Sequence, residues 1–196
     1  MTRPETDDAE LLREMLAGDE RAFVALYRRR HADVYRFALA MCRSGAVAED
    51  VVQDVFLRVL EDAAGFDPAR GSVRAWLLGC ARHVVLDRLR AERRWAPDAA
   101  TKEDERSAPC GGEEAVFAEQ RVARLREALL RLPVAYREAV VLCEIAELSY
   151  AESAAVLGCP IGTVRSRLHR ARTLLAEMLA GTKHSAEPLR MNEVCS

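Results

Sequence analysis

Apolar residues recur every three or four positions through most of the first half of the chain, which is the spacing of an amphipathic helix. This pattern predicts helices over residues 20–42, 46–63 and 72–94. Ser44-Gly45 breaks the first of them, and a loop rich in turn formers at 65–71 separates the second from the third. Because no run of β-branched and aromatic residues alternates long enough for a strand, we expect a compact domain of three helices.

A segment without apolar periodicity divides the chain. Residues 97–112 are rich in Pro, Gly, Asp, Glu, Ser and Ala, a composition typical of a flexible linker. Helical spacing resumes at Val116, and three further helices are predicted: Pro133 to Glu147, Ser149 to Leu157, and Pro160 to about Ala180. The predicted fold is all-α, with two small helical domains (1–95 and 116–181), a flexible acidic linker (96–115) and a frayed tail (182–196).

Charge is segregated along the chain, although the net charge is only −2. Residues 82–94 carry five Arg against two acids, and residues 162–172 carry four Arg and no acid. By contrast, residues 46–62 carry five acids and one Arg, and residues 96–115 carry six acids and two bases. Separate patches of opposite sign predict two kinds of partner, one of them polyanionic.

The sequence argues against several classes of protein. Its N-terminus is polar and acidic, unlike a signal peptide, and no apolar run approaches the ~20 residues that span a bilayer, so we expect a cytoplasmic protein and not a membrane protein. The six cysteines show no zinc-site spacing, and no P-loop, dinucleotide fingerprint, nucleophile elbow or HExxH motif is present. We therefore expect no enzyme activity, no metal and no cofactor. A redox role for Cys110 or Cys195, in polar segments, stays open.

A helix-turn-helix is predicted near the C-terminus. Ser149 and Glu152 fit a capping box at the start of a short helix, a turn contains Gly158, and Pro160 suits the first turn of a final helix. On a helical wheel the final helix has one apolar face: Val164, Leu168, Ala171 and Leu175. Its other side and flanks carry small, hydroxyl, imidazole and guanidinium groups: Gly162, Thr163, Arg165, Ser166, Arg167, His169, Arg170 and Thr173. The absence of acids from 158 to 176 favours a DNA recognition helix over a solvated surface helix.

Two stretches resemble one known family. The segment 155–172, "AVLGCPIGTVRSRLHRAR", resembles the promoter-binding end of extracytoplasmic function (ECF) sigma factors of the sigma-70 family, and "RLPVAYREAVVLCEIAELSYAESA" before it matches the usual lead-in. Independently, residues 18–94 resemble the first domain of the same group. The predicted third helix, "WLLGCARHVVLDRLR", follows the family pattern W-L-x-x-x-A-R-x-x-x-x-D-x-L-R. The two matches occur in the family's order and cover most of the chain.

The resemblance implies a transcription initiation factor that binds the β′ clamp helices and the β flap of core RNA polymerase and directs the enzyme to promoter DNA. It places polymerase binding on the second helix: Asp50, Gln53, Asp54, Phe56, Leu57 and Glu61. It places −10 element binding and strand opening on the loop 65–72 and the third helix: Phe66, Asp67, Ser72, Trp76, Arg82, His83, Arg88 and Arg90, with Arg93 and Arg94 as further phosphate contacts. It places −35 element binding on the final helix: Thr163, Arg165, Ser166, Arg167, His169 and Arg170.

Some alternatives remain at this stage. The family commonly has Asn at the position of His83, so its base preference is not carried over there, and Trp76 also fits the core by its spacing. The resemblance further implies a stress or envelope response controlled by an anti-sigma factor. A helix-turn-helix regulator with ligand-binding or dimerising N-terminal helices, and a sigma-mimicking decoy, remain as rival functions. Binding to core polymerase discriminates between the regulator and a sigma factor.

Overall fold

The computed structural model describes residues 7–62, 65–95 and 113–181, and these residues form eight α-helices without a strand. The helices are α1 (Asp8–Leu16), α2 (Glu20–Met41), α3 (Gly45–Asp62), α4 (Val73–Trp95), α5 (Glu113–Arg131), α6 (Val134–Val140), α7 (Tyr150–Leu157) and α8 (Ile161–Gly181). Most of the predicted linker, the tail, Cys110 and Cys195 lie outside the described residues. The all-α prediction is confirmed for the part of the chain described.

The first domain is built around α2, α3 and α4, as the apolar pattern predicts. Each helix buries one stripe of side chains in a common core: Leu26, Val34, Phe37 and Met41 from α2, Val51, Val52 and Val55 from α3, and Leu77, Leu78 and Val85 from α4. A fourth helix, α1, was not predicted. It adds Leu11, Leu12 and Met15 to the same core.

The ends of the first-domain helices are fixed by side chains that follow the expected capping rules. Asp19 caps α2, where its carboxylate accepts a hydrogen bond of 2.8 Å from the backbone N–H of Arg21. Ser72 caps α4, where its Oγ accepts a hydrogen bond of 3.2 Å from the backbone N–H of Ala75. Gly71, just before this cap, has a φ of +139°, a conformation that favours glycine. The loop therefore delivers the chain into α4 with a defined geometry.

The second domain consists of α5 to α8, and its helix-turn-helix is present. Ser149 and Glu152 make both hydrogen bonds of the predicted capping box at the start of α7. Gly158 ends α7 in the left-handed conformation, with a φ of +63°. Pro160 immediately precedes α8, and its carbonyl accepts a hydrogen bond of 3.2 Å from the N–H of Val164. The sequence signals for this motif are thus confirmed.

The lead-in to the motif differs from the prediction. A single helix from Pro133 to Glu147 was expected, but α6 ends at Val140 and continues as a wider helical turn over Val141–Ile145. The N–H of Ala146 reaches back five residues to the carbonyl of Val141, at 2.8 Å. The wider turn buries Val141 and Leu142, so the packing of this segment overrides the ordinary helical repeat.

The two domains pack against each other, a feature that the expectation of a flexible linker did not include. Val141, Leu142 and Leu157 join the core of the first domain, and α4 contacts α7. Arg137 of α6 is buried and donates hydrogen bonds to the carbonyls of Met41 (2.8 Å) and Leu132 (3.1 Å). Because Met41 ends α2, this guanidinium lies at the negative end of a helix dipole and joins the two domains.

Candidate nucleic-acid interface

The recognition helix α8 packs on one face and leaves its basic face open. Val164, Leu168 and Ala171 are buried, as predicted, and Leu175 is half-buried. Most of the residues predicted to contact the −35 element are exposed: Arg165, Ser166, His169 and Arg170; Thr163 and Arg167 are half-exposed. The structure therefore brings the six predicted −35 residues together on one accessible side of one helix.

Local contacts orient the start of α8. The guanidinium carbon of Arg165 lies 5.7 Å from the centre of the Tyr150 ring, a cation–π distance that ties α8 to α7. The hydroxyl of Ser166 donates to the carbonyl of Thr163 at 3.0 Å, which leaves its oxygen lone pairs available to an external donor. Arg172 instead pairs with Glu144 at the wide turn. The Arg172 guanidinium is thus engaged within the second domain and is not part of the open basic face of α8.

A cavity of about 310 Å³ lies at the start of α4 and gathers the predicted −10 residues. Phe66 and Trp76 form its aromatic wall, with ring centres 5.6 Å apart, and Trp76 is half-buried, so it contributes to both the packing and the cavity. Polar edges come from Asp67, Ser72 and His83. Stacking walls with polar edges are the features that hold an unstacked base.

The His83 ring, which replaces the family's usual Asn, has a defined orientation. Its Nδ1 lies 2.8 Å from the carbonyl of Gly79, one turn earlier in α4. A carbonyl accepts only, so Nδ1 must carry the proton, and in the neutral ring Nε2 is left as an acceptor. Asn offers both a donor and an acceptor at the end of its side chain. The exposed His83 Nε2 therefore presents a different hydrogen-bonding edge to a ligand.

The arginines predicted to contact −10 phosphates are engaged within the protein. Arg82 lies 2.7 Å from Glu138 of the second domain, Arg88 pairs with Asp54 at 2.6 Å and Asp50 at 3.3 Å, and Arg90 pairs with Asp87 at 2.9 Å. The hydrogen bond to Asp54 is the main cause that raises the pKa of Arg88. The structure thus separates these three side chains from the cavity, and their phosphate contacts stay a prediction.

The outer face of α3 carries the residues predicted to bind polymerase, with one exception. Asp50, Gln53, Leu57 and Glu61 are exposed and Asp54 is half-exposed. Phe56 is only 2% exposed and packs on Tyr27 and Phe23, at 4.7 Å and 6.3 Å between ring centres. Phe56 is therefore a core side chain held by the aromatic residues of α2, and its contact with polymerase stays a prediction that this burial disfavours. Leu60, 51% exposed, was missed, although its i+3 spacing from Leu57 was the available signal.

The second domain covers the cavity at the start of α4. Ala155 and Val156 of α7 complete its lining, and the Ser72 hydroxyl donates to the Glu152 carboxylate at 2.9 Å. Neither contact was predicted from the sequence. The side chains predicted to meet a promoter strand are therefore partly covered by the second domain of the same chain.

No metal centre or membrane span is found in the parts of the chain that the structure describes. Within those ranges, no three His, Cys, Asp or Glu residues converge as metal ligands, and no helix is long and apolar enough to cross a bilayer. Four cysteines lie in the described ranges, and none of them forms a disulfide there: Cys42, Cys80, Cys143 and Cys159. Burial raises the pKa of the Cys42 thiol to about 11, so this residue is a small core side chain and not a reactive thiolate.

The sequence matches two families and several curated proteins. Residues 26–95 match Sigma-70 region 2, and residues 123–175 match Sigma-70 region 4. The chain is 40% identical to the ECF RNA polymerase sigma factor SigE of Mycolicibacterium smegmatis over 81% of its own length, and it spans 62% of that relative. It is 35% identical to the ECF RNA polymerase sigma factor SigC of Mycobacterium tuberculosis, over 89% of this chain and 94% of the relative.

Two solved structures resemble the fold. One is CnrH in complex with the cytosolic domain of CnrY, with a TM-score of 0.67, 28% identity and coverage of 89% of this chain and 97% of CnrH. The other is the sigma factor RpoE of Bartonella quintana in complex with the anti-sigma factor NepR, with a TM-score of 0.65, 27% identity and coverage of 79% and 94%. On the two regions and these relatives, the chain belongs to the extracytoplasmic function group of RNA polymerase sigma factors in the sigma-70 family.

Proposed function

We propose that this protein binds core RNA polymerase, reads the −10 and −35 elements of its promoters, and opens the DNA at the −10 element. In this proposal residues 1–95 are sigma domain 2, residues 96–115 are the linker, and residues 116–181 are sigma domain 4. The observation that carries the proposal is that one chain holds both an exposed basic helix and an aromatic-walled cavity of about 310 Å³, which is large enough to admit a nucleobase. A repressor needs the first of these surfaces but has no need of the second.

The outer face of α3 supports the contact with polymerase. Leu57 and Leu60, 48% and 51% exposed, lie beside the carboxylates of Asp50 and Glu61. Exposed leucines on a helix that already buries a full apolar stripe suit a partner contact, and the acidic rim suits a basic partner surface such as the β′ clamp helices. The β flap is the proposed contact of domain 4, where Val122 and Leu125 of α5 are exposed.

The two DNA surfaces have different roles in this proposal. The α8 side chains enter the major groove at the −35 element, where guanidinium and hydroxyl groups read base edges. The cavity at α4 receives a base from the displaced strand at the −10 element, against the wall that Phe66 and Trp76 form. The protein thus acts by binding and not as an enzyme, and it works in the cytoplasm with the polymerase on the chromosome.

Control by an anti-sigma factor fits the closed arrangement of the two domains. The solved structures of CnrH and RpoE are complexes with the cytosolic domain of CnrY and with the anti-sigma factor NepR, respectively. In this chain the cavity at α4 is covered by Ala155 and Val156, so a partner that holds the domains together prevents binding of the −10 strand. Affinity purification from unstressed native cells tests this part. Recovery of polymerase without a stoichiometric second protein would remove it and leave the sigma assignment standing.

The decisive test of the proposed function is assembly with core RNA polymerase. The purified chain should co-elute with core enzyme at low salt and support transcription from its promoter, and Asp54→Arg combined with Leu57→Ala should weaken co-elution. Asp54→Arg also breaks an ion pair with Arg88 of α4, so the control must break a comparable ion pair. Asp87→Arg does this, because Asp87 pairs with Arg90 of α4 and lies away from the α3 face. Failure of the wild-type chain to co-elute would contradict the proposal. Specific retardation of duplex DNA without core enzyme would favour a stand-alone regulator.

A further inference from the structure

Arg74 does not line the cavity itself but lies along α4 between Ser72 and Ala75, which do, and the proposed function gives it no role. It is in the first turn of α4, two residues after Ser72 and two before Trp76. Its guanidinium is held by both carboxylate oxygens of Asp33, at 3.2 Å and 3.4 Å, and its side chain keeps 25% exposure. A guanidinium that is oriented by a carboxylate behind it, and still reaches solvent, is prepared to bind an external anion.

The surroundings of Arg74 carry an excess of positive charge. Asp33 is shared among three guanidinium groups, those of Arg30, Arg36 and Arg74. Burial alone would raise the pKa of Asp33, but the hydrogen bonds from these arginines outweigh it and lower the pKa. Because Asp8 also pairs with Arg29 and Arg30, four guanidinium groups share two carboxylates, and the cluster around Asp33 retains positive charge.

A carboxylate from the second domain already lies next to Ser72 and Arg74. Glu152 accepts the hydrogen bond of 2.9 Å from Ser72, and the charge of Arg74 acts on it. Burial alone would raise the pKa of Glu152, but the hydrogen bonds from Ser149 and Ser72, together with Arg74, lower it. In protein–DNA contacts, phosphate oxygens accept hydrogen bonds from serine hydroxyls and interact with arginines. The Glu152 carboxylate is bound in the same way.

We propose that Ser72 and Arg74 form a phosphodiester-binding site at the rim of the cavity, and that Glu152 fills this site when the two domains are closed. The ligand class is the backbone of a single DNA strand, because the anion site adjoins the stacking wall of Phe66 and Trp76. This inference rests on the proposed function for its biological setting. It adds Arg74 to the strand-binding residues and makes Glu152 a competitor of the DNA.

The consequence is that α7 and the strand exclude each other. Glu152 holds the anion position, and Ala155 and Val156 of the same helix line one side of the cavity. The second domain must therefore leave the start of α4 before a strand can bind. Removal of the negative charge of Glu152 should therefore strengthen binding of the DNA strand, although the residues that contact the strand are unchanged.

The test uses Glu152→Gln in the full chain. Gln at this position preserves the capping box of α7, so the variant removes the charge while keeping the helix start. The probe is a short fluorescein-labelled DNA single strand of random sequence, since a backbone contact does not depend on sequence, and binding is followed by fluorescence anisotropy at low salt. We expect Glu152→Gln to bind about three- to tenfold more tightly than wild type. Glu177→Gln, an exposed acid on α8, is the matched control and should bind as wild type does.

A second variant tests Arg74 itself. Arg74→Gln in the Glu152→Gln background should abolish the gain, and Arg74→Lys should restore part of it because the positive charge is kept. Unchanged binding by Glu152→Gln, a gain that persists in Arg74→Gln, or an equal gain in Glu177→Gln would each overturn the inference. The variants keep the α3 face, so their co-elution with core polymerase should persist. Loss of wild-type co-elution would instead contradict the proposed function.

Discussion

Nε of Arg82 in α4 lies 2.7 Å from a carboxylate oxygen of Glu138 in α6, and this ion pair joins the two domains. The side chains are only 18% and 4% exposed. Water therefore screens the pair weakly, and each charge depends on the other for compensation. The pair also removes Arg82, a predicted DNA contact, from solvent. Because the two charges lie on different domains, separation of the domains would leave each of them without its partner.

Removal of either partner should destabilise the closed chain. Glu138→Gln leaves Arg82 buried without its counter-charge, and we expect a loss of about 3–5 kcal/mol in the free energy of unfolding. Arg82→Gln should have a similar effect, and the double variant should recover part of the loss. Urea unfolding followed by circular dichroism measures all three. The control is Glu127→Gln, which breaks an exposed pair with Arg131 and should cost less than about 1 kcal/mol. Additive losses in the double variant would contradict this coupling.

Adjacent residues on α3 should separate polymerase binding from folding. Leu57→Ala removes an exposed side chain, so it should weaken assembly with core polymerase while leaving the unfolding free energy within about 0.5 kcal/mol of wild type. Phe56→Ala removes a core ring and should cost about 3–5 kcal/mol of stability. Co-elution with core enzyme and urea unfolding report the two effects. A stable Leu57→Ala variant with full assembly would contradict the role of this face.

Local signals predicted most of the fold. The inward face of α8 follows from its apolar spacing, and the start of α7 follows from Ser149 and Glu152, because both depend on neighbours within a few residues. The helix α1 was missed because it is only nine residues long, although Leu11, Leu12, Met15 and Leu16 have helical spacing. Its docking combines burial of the first three of these side chains with ion pairs of Asp8 with arginines of α2, which no local pattern contains.

The parts of the site that escaped prediction are contacts between distant residues. The resemblance assigned Phe56 to the polymerase-binding surface, but in the structure Tyr27 of α2 packs on its ring. Glu152 was recognised as a helix cap, and nothing in its surroundings along the chain indicates the bond to Ser72. Closure of the domains depends on such pairings, and sequence spacing carries no information about them.

Acid should weaken the attachment of α4 to α2. The arginines around Asp33 hold the pKa of that carboxyl below its ordinary value of 3.8. A lowered pKa in the folded chain means that the stabilisation is complete above the ordinary value and is lost as the pH falls below it. Wild type should therefore lose more thermal stability between about pH 5 and pH 2 than Asp33→Asn does. At neutral pH, Asp33→Asn should cost roughly 1–3 kcal/mol. Equal acid sensitivity in both chains, measured by thermal unfolding, would contradict this account.

Two arginines on α8 should differ in their effect on promoter choice. Arg170 is exposed on the open face, whereas Arg172, two residues later, pairs with Glu144 of the wide turn. If Arg170 makes a bidentate contact with guanine, Arg170→Ala should cost about 1–3 kcal/mol at one base pair and relax the preference there. Arg172→Ala removes an exposed ion pair with Glu144 and an interaction with Tyr150, neither of which is a predicted DNA contact, and should leave the preference unchanged.

The measurement is transcription by the reconstituted holoenzyme on a library of promoters with randomised −35 elements. Arg170→Ala should flatten the base preference at one position while keeping co-elution with core polymerase, since α8 lies apart from the α3 face. Arg172→Ala serves as the matched control, because it removes the same charge from the same helix. Identical preferences for both variants and wild type would remove Arg170 from the −35 contacts. A uniform loss at all positions would instead indicate a phosphate contact, because backbone contacts carry no sequence information.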